Sequence, residues 1–199
     1  MDVPAGDPAT DFGEGLTINT TVLQTPIGPL ALLEHDGALV GAGFTADPAE
    51  LHARLHPSLR ALELRPVGDL GAITKAHLAY FDGDLTALDA LPVHHPASQR
   101  RERLWRALRR VGPGQTVTYA ELAVLAGMDR TAARAAGQAC AQNLIAPAIP
   151  CHRVLPSGGA PKGRLGGYYY GLERKAWLLS HESAVTGGRP DASAAPAPR

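Results

Sequence analysis

The chain is short of aromatic residues and has almost no cysteine. Of its 199 residues only 5% are Phe, Trp or Tyr, and the two cysteines are Cys140 and Cys151. Two cysteines close together late in the chain cannot build a disulfide framework, and a reducing cytoplasm is their simplest setting. No apolar run approaches the ~20 residues that span a bilayer, so no membrane association is expected. The 22 glycines and 17 prolines follow no period, which excludes a fibrous chain. The start, Met1-Asp2-Val3-Pro4-Ala5-Gly6-Asp7, is acidic and lacks an apolar stretch, unlike a secretory signal. Net charge is missing too, since 19 Lys and Arg balance 19 Asp and Glu. What remains is a 45% hydrophobic composition, in a length that buries a real core in one or two domains.

The zero charge hides an asymmetry. Residues 1–95 carry 13 acidic and 4 basic side chains, a net of −9, whereas residues 96–183 carry 5 acidic and 13 basic, a net of +8. A basic half points to a polyanion partner. Attraction between the two halves of the chain explains the same numbers equally well.

Residues 1–16, rich in Gly, Asp and Pro, read as a loose lead-in. From Leu16 to Thr25 β-branched residues dominate, Pro26-Ile27-Gly28-Pro29 turns the chain, and Leu30 to Leu33 resumes an apolar run. Asp36-Gly37 is a strong hairpin signal before Ala38 to Phe44, so a three-stranded antiparallel meander is expected. A short helix follows from Asp47 or Pro48 to about His56. A second covers Leu70 to Phe81, with Leu70, Ile73, His77 or Ala76, and Tyr80 on one side. Gly83 to Pro96 is a linker.

The second half reads as helical. Ser98 caps a run in which Leu104, Trp105, Leu108 and Val111 keep a 3–4 spacing and six Arg take the other faces, ending at Gly112-Pro113-Gly114. Tyr119 to Ala126 is a short helix closed by Gly127. Asp129 or Thr131 caps another, from Ala132 to about Gln142, made mostly of Ala and Gly with Arg134 outward. The last two form a helix-turn-helix candidate. Gly158 to Tyr170 is a glycine-rich loop and Leu172 to Glu182 a final helix. The units are therefore a lead-in (1–16), an N-terminal α/β unit with its linker (17–95), a C-terminal unit (96–183) and a disordered tail (184–199).

Cys151 sits in Ile149-Pro150-Cys151-His152-Arg153-Val154. A lone cysteine is commonly a small buried apolar residue. Here Pro150 fixes the backbone on one side, and His152 and Arg153 place positive charge nearby, which favours thiolate. Adjacent residues rarely face one another, so a base at His152 needs a bridging water or a turn, and a carboxylate to orient it. The slim helix at 132–142 is unlike a major-groove recognition helix, which offers several Asn, Gln, Arg or Lys. It suits close approach to a narrow minor groove with one Arg as probe, or tight packing against a neighbouring helix. His52 and His56, spaced i and i+4, are a metal pair without a third ligand.

From Trp105 to Glu182 the chain resembles the O6-alkylguanine-DNA alkyltransferases, the methylated-DNA–protein-cysteine methyltransferases. The matching pieces are Trp105-Arg106-Ala107-Leu108, Gly114 to Ala123, Ala133-Arg134-Ala135-Ala136-Gly137, Asn143, Pro150-Cys151-His152-Arg153-Val154 and Leu172 to Glu182. The Pro-Cys-His-Arg-Val run is highly specific to that family. Residues 17–95 fit its smaller N-terminal part through Thr25 to Leu30 and Leu78 to Gly83.

The resemblance implies an α+β fold. A small antiparallel sheet plus helix, RNase H-like, precedes a mainly helical domain with a winged-helix-like helix-turn-helix. It implies a suicide acceptor in which Cys151 takes the alkyl group from O6-alkylguanine, and from O4-alkylthymine, without a cofactor or metal. His152, oriented by Glu182 and acting through water, draws off the thiol proton, and Tyr119 donates a hydrogen bond to the guanine. Arg134 fills the gap left by the flipped base on the minor-groove side of duplex DNA, with Thr118, Ala135 and Arg153 as further DNA contacts. Asn143 braces the turn before the active-site segment, the carbonyls of Cys151 and Val154 read the exocyclic amine, and Tyr168, Tyr169 and Tyr170 line the alkyl pocket. A monomer with no obligate protein partner is expected.

The chain departs from the pattern in four places. Tyr169 and Tyr170 stand where small residues are usual, Leu144 follows Asn143 where Pro is common, and His95-Pro96-Ala97-Ser98-Gln99 replaces the usual Gly-Thr. No cysteine precedes Cys140, so the N-terminal zinc site of some relatives is not expected. Two other functions compete. One is an alkylated-DNA sensor that flips the base without chemistry, against which Cys151 argues. The other is a Cys-His hydrolase built from Cys151, His152 and Glu182, which explains neither Arg134 nor the basic half.

Overall fold

The computed structural model of this chain describes residues 16–158 and 164–186. The expected lead-in up to residue 15, the tail beyond 186 and residues 159–163 of the glycine-rich loop lie outside them. The first strands form the expected meander: β1 (Thr17–Thr25), β2 (Gly28–His35) and β3 (Ala38–Gly43). Asp36 and Gly37 take φ of 49° and 75°, the double left-handed geometry that suits a two-residue hairpin to strand twist. A fourth strand, β4 (Glu63–Pro66), was not expected. It runs parallel to β1, giving the order β3-β2-β1-β4, so the sheet is mixed rather than purely antiparallel. Its four largely exposed residues, one of them Pro66, carry no alternating apolar signal, as suits a short edge strand.

The helix expected from Asp47 or Pro48 to about His56 is shorter, and a second short helix follows it. Asp47 caps α1 (Pro48–His52), its carboxylate accepting from the Ala49 N–H at 2.9 Å. Pro57 starts α2 (Pro57–Arg60) and holds His56 in an extended conformation outside any helix. His52 and His56 therefore share no helix face. Among the described residues no group of three His, Cys, Asp or Glu could hold a metal. In α3 (Ala72–Phe81) the predicted inward side is found, with Ile73, His77 and Tyr80 buried. The linker after it is anchored along β3, where the Leu39 N–H donates to Pro92 O and the His94 N–H to Leu39 O.

Ser98 occupies the N-cap of α4 (Gln99–Leu108) but makes no side-chain cap bond. Leu104, Trp105 and Leu108 are buried as expected. Several of the arginines are engaged inside the molecule. Arg109 donates to the carbonyls of Leu88, Asp89 and Leu91, Arg103 to those of Ala126 and Gly127, and Arg110 to that of Leu125. Then come β5 (Val117–Thr118), α5 (Tyr119–Leu125), a 3-10 turn at Arg130–Ala132 capped by Asp129, and α6 (Ala133–Ala141). A second 3-10 turn at Cys151–Arg153 leads to β6 (Val154–Leu155), which pairs with β5. The last helix, α7 (Leu172–Thr186), continues beyond Ser183, where the tail was expected to begin.

Strand β2 is apolar on both faces. Ala31 and Leu33 face a cluster with Leu51, Leu55 and Leu59. Leu30 and Leu32 join a larger one that includes Tyr80, Trp105, Ile145, Cys151 and Leu178. This second cluster draws on both halves of the sequence and seats the turn carrying Cys151.

Candidate active site

Local sequence sets the walls of the site. Thr118 and Glu121 form a capping box at the start of α5: the Thr118 hydroxyl accepts from the Glu121 N–H at 3.2 Å, and the Glu121 carboxylate from the Thr118 N–H at 2.7 Å. That box fixes Tyr119 as the first residue of α5. Ala132 at the N-cap of α6 and Ala136 and Ala139 within it are buried, and the Trp105 indole N–H donates to Ala139 O at 3.0 Å. The packing reading of the slim helix is found along this stripe, and another side of the helix is left open. Arg134, Gly137 and Cys140 follow at i, i+3 and i+6, which puts them along one stripe. Gly137 and Cys140 line a cavity of 220 Å³ together with Tyr119, Cys151, Tyr168 and Tyr169. Arg134, exposed, stands one turn along from that wall. The cavity is smaller than the ~300–1,000 Å³ of drug-sized sites.

Cys151 lies buried on this cavity. The Asn143 amide is fixed from both ends: its oxygen accepts from the Ile145 N–H at 3.0 Å, and its nitrogen donates to Ile149 O at 2.7 Å and to Cys151 Sγ at 3.2 Å. Burial pushes the Cys151 thiol up, against the Asn143 hydrogen bond and the Lys175 charge. The expectation that neighbouring charges favour a resting thiolate is thereby corrected, and the sulfur needs a base.

A candidate base is arranged next door. His152 is fully buried, and its Nε2 lies 2.8 Å from Glu182 Oε1. Its Nδ1 is buried with no protein partner among the described residues. Burial keeps the imidazole below its usual range, opposed by Glu182, so it stands as a neutral base. Glu182 is held well below the carboxylate range by His152 and Arg153, which outweigh its burial.

Arg153 overturns an expectation. It is buried and donates to both Glu182 oxygens, through Nε at 3.0 Å to Oε2 and NH2 at 2.8 Å to Oε1, while NH1 reaches Val111 O. A guanidinium held this way in the interior offers nothing to a DNA phosphate. Tyr170 is corrected as well. Its ring meets Phe44 edge-on at 5.5 Å and lies so close to Gly43 that any side chain there would overlap its hydroxyl. It anchors the loop to the sheet instead of lining the cavity. Tyr168 and Tyr169 do line it, and the guanidinium of Arg54 covers the Tyr169 ring at 3.9 Å. Thr118 and Ala135 are half-buried beside these walls. Val154 is buried, and its carbonyl already accepts from Lys175 Nζ at 2.8 Å, so the proposed reading of an exocyclic amine has one lone pair left there.

Lys175 escaped the sequence reading. It is fully buried, donates also to Gly167 O at 3.3 Å, and ties the Cys151 segment to the glycine-rich loop. The available signal was the stripe Lys175, Leu178, Glu182, spaced 3 and 4, which puts a lysine on the buried side of α7. Cys140 shares the cavity wall, and burial pushes its thiol up.

A buried thiol beside a buried histidine–carboxylate pair, on a small cavity walled by α5 and α6, is the arrangement of a candidate nucleophile. The family model for the 6-O-methylguanine DNA methyltransferase DNA-binding domain matches residues 99–184. The methylated-DNA–protein-cysteine methyltransferase of Mus musculus is 44% identical over 187 residues, covering 88% of this chain and 86% of that protein. That of Homo sapiens is 38% identical, covering 81% and 79%. The crystal structure of Mycobacterium tuberculosis OGT in complex with DNA superposes with a TM-score of 0.68 at 31% identity, over 88% of this chain and 96% of that one. The chain belongs to the methylated-DNA–protein-cysteine methyltransferase family.

Proposed function

We propose that this protein repairs DNA by moving an alkyl group irreversibly from O6-alkylguanine, and from O4-alkylthymine, to Cys151. The observation that carries this reading is the buried Cys151 thiol held by Asn143 on a small cavity, beside the His152–Glu182 pair. An alkyl carbon on a stacked base offers no path for in-line attack, so the base is extruded at a cost of a few kcal/mol. Arg134, on the stripe of α6 that leads to the cavity wall, fills the vacancy from the minor-groove side. His152 takes the thiol proton through a water, and the sulfur attacks the alkyl carbon. The S–C bond forms as the C–O6 bond breaks, and the electron pair leaves on guanine. Tyr119, whose burial keeps its phenol protonated, donates to the ring as that charge develops. The thioether product has no route back, so each molecule acts once.

The remaining roles follow from this reading. Thr118 and Ala135 face the DNA backbone beside Arg134, the Cys151 and Val154 carbonyls face the exocyclic amine, and Asn143 braces the turn. Tyr168 and Tyr169 bound the alkyl group. The sheet unit (17–95) is RNase H-like and the helical unit (96–183) winged-helix-like. The protein acts as a cytoplasmic monomer without cofactor or obligate partner.

The test is intact mass and peptide mapping after mixing with a duplex holding one O6-methylguanine. A stoichiometric, irreversible gain of one methylene on Cys151, lost in Cys151→Ala, is expected. Tight binding without a mass change would replace this reading with that of a sensor, and repeated turnover of an ester would replace it with that of a hydrolase.

A further inference from the structure

We infer that Tyr80, on α3 of the N-terminal half, is a positioning residue for alkyl transfer: its hydroxyl holds the Glu182 oxygen that orients His152. The inference rests on Cys151 being the acceptor. Tyr80 lies outside residues 99–184, the stretch matched as the DNA-binding domain, so the sheet half would reach into the proton relay.

Tyr80 is 1% exposed, and its hydroxyl lies 2.8 Å from Glu182 Oε1. The ring is fixed by edge contacts with Phe81 at 5.3 Å and His181 at 5.4 Å, and His181 Nε2 meets Tyr80 O at 2.8 Å. Three groups from two segments thus converge on Oε1: Tyr80 from α3, and Arg153 NH2 and His152 Nε2 from the turn of Cys151, each at 2.8 Å. The Gly114 N–H donates to Oε2 at 3.3 Å. An ionised carboxylate can only accept, and an arginine can only donate. The phenol stays protonated, because burial and the Glu182 charge push it well above its ordinary range. Nε2 of His152 must therefore carry its proton, which leaves the lone pair on Nδ1 for the thiol proton. Tyr80 shares the very oxygen that faces the imidazole, so its donor draws charge away from His152.

A tyrosine that merely satisfied a buried carboxylate would matter for stability alone. A positioning tyrosine must also set how readily His152 is protonated. The charged and titratable groups around His152 are Glu182 and Lys175 from α7, Arg153 and Cys151 from its own turn, and Tyr80 through Glu182. Removing only the Tyr80 hydroxyl leaves the others in place and concentrates negative charge on Oε1. His152 then binds a proton more easily, and less of it is the neutral base at mildly acidic pH.

The experiment is the single-turnover rate of methyl transfer to Cys151 from duplex O6-methylguanine between pH 5 and 9, for the full chain and for Tyr80→Phe. The acid limb of the variant should move to higher pH by on the order of half a unit, slowing transfer about 3-fold below the limb. The two profiles should converge above it. An unmoved limb, with or without a lower melting temperature, would overturn the inference and leave Cys151 as acceptor. A wild-type protein that gains no methyl group would overturn both. Should Tyr80→Phe fail to fold, the long-range ¹⁵N–¹H spectrum of the wild-type His152 ring decides: an Nε2–H tautomer is required, and an Nδ1–H tautomer would overturn the inference.

Discussion

The backbone N–H of Leu144 donates to His95 Nε2 at 3.2 Å. This bond joins two departures from the family pattern, Leu instead of Pro after Asn143 and His95-Pro96 at the start of the linker helix. A proline at 144 has no N–H to give. The His95 ring also stacks on Trp105 at 3.7 Å, and Leu144 O accepts from the Ala42 N–H at 2.7 Å. Linker, sheet and the turn of Asn143 are thus clamped at one point. His95→Ala should lower unfolding stability by about 1–3 kcal/mol, since it leaves a buried N–H without its acceptor. Urea denaturation at pH 7 checks this.

The clamp is pH-dependent. His95 and His77 are both pushed down to about 4 by burial, from an ordinary value of 6.5. Between those values the unfolded chain binds protons that the folded chain refuses, so stability falls as pH drops from 6.5 towards 4. Each histidine contributes up to about 3 kcal/mol to that loss. Denaturation curves at pH 7, 5.5 and 4.5 should show the slope, and His77→Leu should flatten it.

The two arginines once grouped as DNA contacts should separate cleanly. Arg153→Met strips Glu182 of its buried partner and should cost about 3–5 kcal/mol of stability, with the DNA affinity of the remaining folded protein unchanged. Arg134→Ala should leave the melting temperature alone and slow transfer from a duplex on the order of 10-fold, because unstacking loses its wedge. Transfer from free O6-benzylguanine base, which needs no flipping, should be spared. Thermal unfolding and single-turnover kinetics on both substrates make the comparison.

The tyrosine loop should act on adduct size in two ways. Tyr169→Gly removes a wall of the 220 Å³ cavity and should raise the rate for benzyl relative to methyl adducts. Tyr170→Gly removes the anchor on Phe44 and should lower the rate for both by loosening the loop. Competition between the two modified duplexes, read by mass, gives the ratio.

Loss of the Lys175 ammonium should be severe. Lys175→Met leaves the carbonyls of Val154 and Gly167 without their donor and removes a charge that favours the Cys151 thiolate. The rate of alkylation of Cys151 by iodoacetamide at pH 8 should fall on the order of 10-fold.

Much of this molecule is written locally. Asp36-Gly37 determined its hairpin because few residue pairs accept two positive φ values. Thr118 and Glu121 determined where α5 begins, through a cap closed within four residues. The inward side of α3, including Tyr80, followed from helical spacing. The run around Cys151, together with Glu182 at the end of the last helix, marked the chemistry.

Partners were another matter. The sequence placed Arg153 among positive charges, and the resemblance pointed it at DNA. Only the packing of α7 against the turn of Cys151 brought Glu182 within 2.8 Å, 29 residues away in the chain. Tyr80 reaches the same carboxylate across 102 residues, and Tyr170 turns to Phe44 because the sheet passes behind the loop. Short-range backbone preference and periodicity repeat within a few residues and can be read from them. The partner of a buried charge depends on which element lies opposite, and that is decided only when the whole core closes.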